Sequence, residues 1–250
     1  MLVLGSVPYA NARPLIEGLE AVEGVRLVLE PPARLALRLA AGDLDAALVP
    51  SVEVFRDPRR VVVPVGCISS LGPVRSVGLF GARPPRPGDR ILLDESSLTS
   101  AALLRVLLAG PLDAPGASFT PCPPTTDPRT AGADGVLLIG DPALVLDRSG
   151  LVETDLGEAW TRWTGLPFVW AVWAARDGAA AAAVGPALRE ARERGARSLP
   201  AIVDREAARL CMERAAMADY LGRRIRFDLG TEERKGLERF REECAKAGLP

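Results

Sequence analysis

Histidine is absent from this chain of 250 residues. Its absence excludes nucleophiles activated by imidazole, acid and base catalysis by imidazole, and the commonest zinc sites. The four cysteines, Cys67, Cys122, Cys211 and Cys244, are far apart and form no Cys-x-x-Cys pair. Neither a zinc cluster nor a disulfide framework is indicated by that spacing. We therefore expect reduced thiols, no metal and no cofactor.

The sequence also lacks an excess of charge and a long apolar run. Its 31 basic and 32 acidic residues give a net charge of −1, which offers no global attraction for nucleic acid or an anionic membrane. No apolar stretch reaches the ~18 to 20 residues of a membrane span, and the first strand-like run starts too early to leave room for a secretion signal. We expect a cytoplasmic protein that binds neither nucleic acid nor membrane, and nothing in the sequence indicates an oligomer, although one is allowed.

Short, nearly continuous apolar runs alternate with segments of helical periodicity along the chain. Strands of a parallel sheet that is covered on both faces have this pattern, and the helices between them form the crossovers. The predicted strands are 2–7, 25–30, 45–50, 61–66, 74–81, 90–93, 117–121, 135–140 and 168–175. The predicted helices include 13–20, 32–42, 97–109 and, in the tail, 185–197, 204–222 and 231–247.

The segment 82–89 interrupts this series with three prolines and a glycine, a composition typical of a crossing or hinge. We predict an α/β fold of two lobes, in which the second lobe is inserted into the first and a helical tail ends the chain. Lobe 1 comprises residues 1–82 and 168–250, and lobe 2 comprises residues 83–167. The ligand cleft is expected between them.

Polar side chains recur directly after the predicted strands, at the carboxyl ends where open parallel sheets bind ligands. They are Ser6, Tyr9, Asn11, Ser51, Ser70, Ser97, Thr99, Ser100 and Asp141. A single Ser, Thr or Asn at a helix start is usually an N-cap. The four hydroxyls within residues 96–100 exceed what one cap can use, because only one or two side chains reach the free N–H groups of a first turn. The surplus, at the positive end of a helix dipole, indicates a carboxylate or phosphate site.

The turn at Gly72 and Pro73, within "ISSLGPVRSV" (68–77), has two interpretations. It brings the backbone close to a ligand, or it is a simple hairpin turn. Asp94 and Asp155 are among the carboxylates available for acid and base chemistry, although nothing in their spacing pairs them. The four tryptophans are predicted to be core and hinge packing rather than a stacking site.

Several of these segments occur together and in a fixed order. The segments are "VPYANARPLIEGL", "DAALVPSVEVFR", "CISSLGPVRSV", "LDESSLTSAALLRVLL", "LLIGDPAL" and "DLGEAWTRWTGLPFVWAVWA". Over about residues 3 to 175 the chain resembles the chorismate dehydratases of the futalosine route to menaquinone. The resemblance implies a type II periplasmic-binding-protein fold used by a cytoplasmic enzyme. It also implies loss of water from chorismate, a dicarboxylate, to give 3-[(1-carboxyvinyl)oxy]benzoate without a cofactor.

The resemblance further implies roles for individual residues. Asn11 and Ser76 would be catalytic, positioning the enolpyruvyl carboxylate of the substrate, which takes the ring proton in the absence of a protein base. The residues implied to bind substrate are Ser6, Tyr9, Ser51, Ser70, Gly72, Pro73, Val74, Ser97, Thr99, Ser100 and Asp141. For Asp141 a helix cap is an equal alternative.

One position departs from the pattern of these enzymes. "SLTS" stands where "SRTS" is expected, so that Leu98 replaces an arginine. If that arginine contacts substrate in the relatives, another cation such as Arg13 or Arg75 must substitute for it here. Otherwise the arginine has a structural role.

Three other functions share the expected fold. A solute-binding protein for a small carboxylate would have the same cleft, but no signal peptide or lipid anchor is visible. The related 1,4-dihydroxy-6-naphthoate synthase is expected to use a histidine, which this chain lacks. A regulatory effector-binding domain would need a DNA-binding helix-turn-helix, and none precedes the first strand.

Overall fold

The computed structural model describes residues 1–57 and 59–249, which form two β-sheets covered by helices. The strands are β1 (Leu2–Ser6), β2 (Val25–Leu29), β3 (Ala46–Pro50), β4 (Val61–Ser70), β5 (Val77–Gly81), β6 (Arg90–Asp94), β7 (Ser118–Cys122), β8 (Gly135–Ile139), β9 (Val152–Asp155), β10 (Phe168–Ala175) and β11 (Ile225–Arg226). The helices are α1 (Arg13–Ile16), α2 (Pro32–Ala41), α3 (Glu53–Arg56), α4 (Thr99–Ala109), α5 (Gly140–Val145), α6 (Leu156–Thr164), α7 (Gly178–Arg197), α8 (Leu199–Arg209), α9 (Arg214–Asp219) and α10 (Thr231–Lys246). Short 3₁₀-helices span Ala10–Ala12 and Leu19–Ala21, and a π-helix spans Tyr220–Arg224.

Both sheets are mixed rather than purely parallel. The first has the strand order β11-β4-β10-β3-β1-β2, and the second has the order β7-β6-β8-β5-β9. In each sheet the strands that are connected by helices run parallel, such as β1 with β2 and β6 with β7. The strands at the crossings, β5 and β10, pair antiparallel with their neighbours. The chain thus crosses from the first sheet to the second after β4 and returns at β10.

The boundary predicted at residue 82 places β5 in the first lobe, and the strand pairing corrects this. β5 lies in the second sheet, where Val77 pairs with Ile139 and Gly78 pairs with Asp155. All five residues of β5 are buried, because β8 and β9 flank it on both sides. The crossing therefore precedes residue 77, and the proline-rich segment 82–89 is a connection within the second lobe.

The first predicted helix is shorter than its apolar periodicity indicates. Instead of spanning 13–20, α1 ends at Ile16, and Gly18 adopts a left-handed conformation with φ of 73°. The Arg194 guanidinium donates a hydrogen bond to the Gly18 carbonyl at 3.3 Å. A Cβ at Gly18 would lie 2.0 Å from Nη1 of that arginine, so glycine is required for this contact with α7.

An aromatic cluster joins the helical tail to the strand that returns to the first sheet. The Phe168 ring centroid lies 5.2 Å from that of Trp160 and 4.8 Å from that of Phe240. All three side chains are fully buried. A Cβ at Gly236 would lie 2.0 Å from the Pro167 carbonyl oxygen, so α10 approaches the backbone closely here. The tail is therefore part of the main core.

We predict that Phe240→Ala lowers the free energy of unfolding by about 3–5 kcal/mol, because it opens a cavity beside Trp160 and Phe168. Denaturant unfolding measures this loss. Leu37→Ala is the matched control, since Leu37 is 67% exposed and its truncation should change stability by about 0.5 kcal/mol or less. Equal effects of the two substitutions would contradict the packing of the tail.

Candidate active site

A cleft between the two sheets has an empty volume of about 490 Å³, including its open mouth. Its polar lining residues are Tyr9, Asn11, Ser97, Thr99 and Ser100, and Leu98 and Trp170 contribute apolar surface. Within residues 1–57 and 59–249, no charged side chain lines this cleft. The site is therefore a neutral, largely apolar cleft whose polar groups come from both lobes.

Helix α4 directs its first turn at this cleft. Its N-cap is Leu98, whose carbonyl accepts the first helical hydrogen bond, from the Ala102 N–H at 3.1 Å. The earlier N–H groups of the turn have no intrahelical partner, as at any helix start. Neither Ser96 nor Ser97 caps the helix, because Leu98 stands at the N-cap and no side chain within the described ranges caps it. These N–H groups and the positive end of the helix dipole are free for a ligand.

The serines before α4 have different surroundings. Ser96 donates from both its N–H and its hydroxyl to Oδ1 of Asp94, at 2.8 and 2.6 Å. The Ser97 hydroxyl oxygen is buried and has no hydrogen-bond partner in the described part of the chain, and Ser97 lines the cleft. Ser97 is therefore ready to bind a ligand, whereas Ser96 is already engaged with Asp94.

Asp94 lies behind the cleft rather than in it. Burial raises the pKa of this carboxyl, and the hydrogen bonds from Ser96 oppose that effect. The Tyr9 hydroxyl lies 3.5 Å from the Ser96 hydroxyl. Burial also raises the pKa of Tyr9, so its phenol stays protonated. Because the Ser96 hydroxyl donates to Asp94, the phenol is the donor in its contact with Ser96.

Tyr9 reaches across from the first sheet onto the backbone of the second. A Cβ at Gly140, whose φ is +65°, would lie 2.9 Å from two carbons of the Tyr9 ring. Glycine is thus required both by the left-handed backbone and by the ring that lies on it. Asn11 follows Tyr9 in the same short helical segment, is 9% exposed and lines the cleft.

Thr99 lines the cleft and also joins the two lobes. Its Oγ1 accepts a hydrogen bond from the Val52 N–H at 3.2 Å and lies 3.5 Å from the Ser51 hydroxyl. Ser51 is fully buried and donates to the Val169 carbonyl at 2.7 Å. The prediction that Ser51 binds substrate is not supported by its position, because its hydroxyl is directed to the protein interior.

Asp141 is neither a helix cap nor a cleft residue in this structure. One carboxylate oxygen accepts a hydrogen bond from the Ala10 N–H at 2.9 Å, and the other accepts from Nη2 of Arg209 at 2.6 Å. The N-cap of α5 is Ile139. Asp141 therefore has neither of the roles considered from the sequence, ligand contact and helix cap. It links the second lobe to two segments of the first lobe.

The turn at 72–74 lies outside the cleft and is held by α6. The Gly72 N–H donates to Oγ1 of Thr161 at 2.8 Å, and the Val74 N–H donates to Asp155 at 3.1 Å. Pro73 lies between these two bonded residues. Asp155 is the N-cap of α6, and its carboxylate also accepts from the Glu158 N–H. Gly72, Pro73 and Val74 thus have structural partners where substrate contact was predicted.

The remaining predicted serines, Ser6, Ser70 and Ser76, are fully buried and lie outside the cleft. The Ser6 hydroxyl donates to the Val7 carbonyl at 3.5 Å, and the Ser70 hydroxyl accepts from the Trp170 indole at 3.0 Å. The Ser76 hydroxyl accepts from the Tyr220 phenol at 2.8 Å. Ser6 and Ser70 thus contact the cleft residues Val7 and Trp170 from behind, whereas Ser76 contacts the helical tail.

Neither cation suggested as a substitute for the missing arginine lines the cleft. Arg13 donates to the Pro8 carbonyl at 3.1 Å and pairs with Glu206 at 3.5 Å. Arg75 has a φ of 67°, and its N–H donates to Asp155 at 2.7 Å. Trp170 lines the cleft, although the sequence predicts only a packing role for it. A tryptophan within a buried apolar strand has no sequence feature that distinguishes a cleft residue from a core residue.

Similarity to known proteins identifies the family of this chain. A family model described as menaquinone biosynthesis matches residues 2–246. The chain belongs to the menaquinone biosynthesis family. A member of this menaquinone biosynthesis family from Thermus thermophilus, named chorismate dehydratase, is 35% identical, and the alignment covers 99% of this chain and 96% of the relative.

Solved structures show that this chain has a periplasmic-binding-protein fold. A protein of Archaeoglobus fulgidus has a TM-score of 0.82 at 14% identity, covering 100% of this chain and 98% of that one. The periplasmic aliphatic sulphonate binding protein of Escherichia coli has a TM-score of 0.65 at 15% identity, covering 98% of this chain and 86% of its own. A Candida albicans protein described as having the generic periplasmic binding protein structural fold has a TM-score of 0.70 at 12% identity, with 99% and 90% covered. These likenesses confirm the predicted fold class.

None of the helices in the described part of the chain is both long and apolar enough to cross a membrane.

We predict that Gly140→Ala displaces the Tyr9 ring and destabilises the fold by about 1–3 kcal/mol, the usual cost of overpacking. Gly150→Ala is the matched control, because Gly150 has a similar φ of +73° but nothing within 4 Å of the added Cβ. Thermal or denaturant unfolding of both variants separates the contact from backbone strain. Identical losses would show that Tyr9 does not rest on Gly140.

The raised pKa of Asp94 predicts a pH dependence of stability. A carboxyl whose pKa is higher in the folded state stabilises the fold while protonated, fully below its unfolded value and decreasingly as the pH rises through its folded value. We therefore expect the unfolding free energy of Asp94→Asn to increase relative to that of the wild type as the pH rises from about 4 to 8. Urea unfolding over this range measures the difference. Glu95→Gln removes one charge from the exposed neighbour, and the same trend in that variant would contradict the assignment to Asp94.

Proposed function

We propose that this protein is a hydro-lyase, a chorismate dehydratase, that converts chorismate to 3-[(1-carboxyvinyl)oxy]benzoate and water. The proposal depends on the similarity to the Thermus thermophilus chorismate dehydratase, which is 35% identical over nearly the whole of both chains. The membership in a menaquinone biosynthesis family agrees with it. The geometry of the cleft supports the same reaction in the following ways.

The chemistry makes modest demands on the protein. A proton leaves the ring carbon that bears the ether, the neighbouring hydroxyl leaves as water, and the ring becomes aromatic. No electrons pass to or from another molecule, and aromatisation supplies the driving force. The protein must hold the substrate in a reactive conformation and assist departure of the proton and the hydroxyl.

Neutral donors in the cleft suit the carboxylates of the substrate. The first-turn N–H groups of α4, the Ser97 hydroxyl and the Ser100 hydroxyl lie on one wall of the cleft. A helix start of this length carries the equivalent of about half a positive charge, which favours an anion without a cationic side chain. With this donor set a carboxylate can bind although Leu98 stands where an arginine is expected.

The opposite wall contributes the groups nearest to the reaction. The enolpyruvyl carboxylate of the substrate accepts the ring proton, and Asn11 orients the reacting part of the molecule. The Tyr9 phenol, which burial keeps protonated, would turn its proton from Ser96 to the departing hydroxyl. No protein base is required by this scheme.

A solute-binding protein is the alternative, because the sulphonate binding protein has a similar fold. Catalytic turnover distinguishes an enzyme from a binding protein. Purified protein is incubated with chorismate, and the aromatic enol ether is followed by its absorbance and mass. We predict catalytic turnover by the wild type and a loss of about tenfold or more in Asn11→Ala, since an orienting contact is removed. Ser118→Ala, an exposed hydroxyl on β7, is the control that retains activity.

Tight binding of chorismate without product would overturn the proposal in favour of a binding protein. Unchanged turnover in Asn11→Ala would retain the reaction but remove Asn11 from it. The third function considered from the sequence, 1,4-dihydroxy-6-naphthoate synthase, is expected to need a histidine, and the chain has none.

A further inference from the structure

The segment that carries Tyr9 into the cleft is held by charged side chains on both of its sides. Before Tyr9, the Pro8 carbonyl accepts a hydrogen bond from Nη2 of Arg13 at 3.1 Å. After Tyr9, the Ala10 N–H donates to Oδ1 of Asp141 at 2.9 Å. The backbone on either side of this tyrosine is therefore tied to a charged group of its own.

Both ties lead to one buried carboxylate in the helical tail. Glu206, on α8, is 2% exposed. Its Oε1 lies 3.5 Å from Nε of Arg13, and its Oε2 accepts a hydrogen bond from Nε of Arg209 at 2.7 Å. Nη2 of Arg209 in turn donates to Oδ2 of Asp141 at 2.6 Å. The network thus has two arms, which start at the two oxygens of Glu206 and end on the two sides of Tyr9.

Such a network is a costly way to attach a helix. An apolar residue of the same volume as Glu206 would avoid the desolvation of a buried carboxylate, and such replacements are often neutral or stabilising. Apolar packing does not fix the direction of a neighbouring carbonyl or N–H group, whereas charge-assisted hydrogen bonds do. The Tyr9 ring also lies against Gly140, where an added Cβ would be 2.9 Å from two ring carbons. The position of this ring is therefore fixed from three sides.

We propose that Glu206 is a positioning residue, which acts through Arg13 and Arg209 to hold the Tyr9 ring in place at the cleft. Glu206 does not line the cleft, so it acts without touching the ligand. If the proposed function holds, on which this step rests, the network aligns the Tyr9 phenol with the departing hydroxyl. Displacement of a positioned group by about 1 Å can cost about a hundredfold in rate, so small shifts of this segment matter.

The first test measures kcat and KM of the full-length protein with chorismate. We expect Glu206→Gln to lower kcat by about tenfold and to change KM by less than about twofold, because the α4 wall that binds the carboxylates is unchanged. In the Tyr9→Phe background the same substitution should lower kcat by less than about twofold, since its effect passes through the phenol. Glu17→Gln is the matched control, because Glu17 pairs with Arg205 of the same helix at 2.8 Å without bonding the segment around Tyr9.

Wild-type kcat in folded Glu206→Gln would overturn the inference. A tenfold loss that persists in the Tyr9→Phe background would also overturn it, because Glu206 would then act independently of Tyr9. If Glu206→Gln does not fold, Arg13→Gln removes only the arm that ends at Pro8. That variant is expected to give the same kinetic pattern, and wild-type kcat in it would contradict the inference.

A second readout needs no ligand and separates this inference from the proposed function. The chain has two tyrosines, so protein labelled with ¹³C at the tyrosine Cζ atom gives two signals, and the Tyr9 signal is the one lost in Tyr9→Phe. We expect that signal to shift in Glu206→Gln and in Arg13→Gln, and to keep its position in Glu17→Gln. An unchanged Tyr9 signal in Glu206→Gln would overturn the positioning role, whatever the wild type does with chorismate. Absence of wild-type turnover, with the Tyr9 signal shifted as expected, would sink the proposed function alone.

Discussion

One carboxylate holds the two lobes in the arrangement on which the cleft depends. Asp141, at the start of α5 in the second lobe, binds the Ala10 N–H and the Arg209 guanidinium, which both belong to the first lobe and its tail. Ala10 lies between Tyr9 and Asn11, so the same bond fixes the segment that carries both cleft residues. Arg209 also pairs with the buried Glu206 at 2.6 Å, which anchors the link to α8. The bond that joins the lobes therefore also positions the first-lobe residues of the cleft.

The charged groups around the site are paired away from it, which leaves the cleft itself neutral. Arg13, Glu206 and Arg209 form one network behind the first-lobe wall, and Asp94 is bound by Ser96 behind the second. A neutral, largely apolar cleft strengthens the field of the α4 start, because less water is present to screen it. The near-zero net charge of the chain is compatible with an anion site for this reason, since the attraction is local and comes from the backbone.

The sequence predicts the buried strands well and the boundary between the lobes poorly. β1, β3 and β10 are found where continuous apolar runs indicate them. β9 is missed because its four residues, "VETD", include two acids, and without β9 the position of β5 in the second sheet cannot be inferred. At the site, the hydroxyls of residues 97–100 are correctly expected at the cleft. Ser51 and Ser70 have the same residue type and lie at strand ends as well, but their hydroxyls bond the Val169 carbonyl and the Trp170 indole and do not line the cleft. Tyr220 and Arg209 are missed because 144 residues separate Tyr220 from Ser76 and 68 residues separate Arg209 from Asp141.

The two walls of the cleft contribute different polar groups. The wall from α4 offers donors, namely free backbone N–H groups and the Ser97 hydroxyl. The facing wall contributes Tyr9 and Asn11, which are adjacent to the backbone N–H that Asp141 binds. A carboxylate therefore finds its donors on the α4 wall, and the groups that face its reacting end are held by the link between the lobes, so binding of the ligand and its alignment depend on the same arrangement.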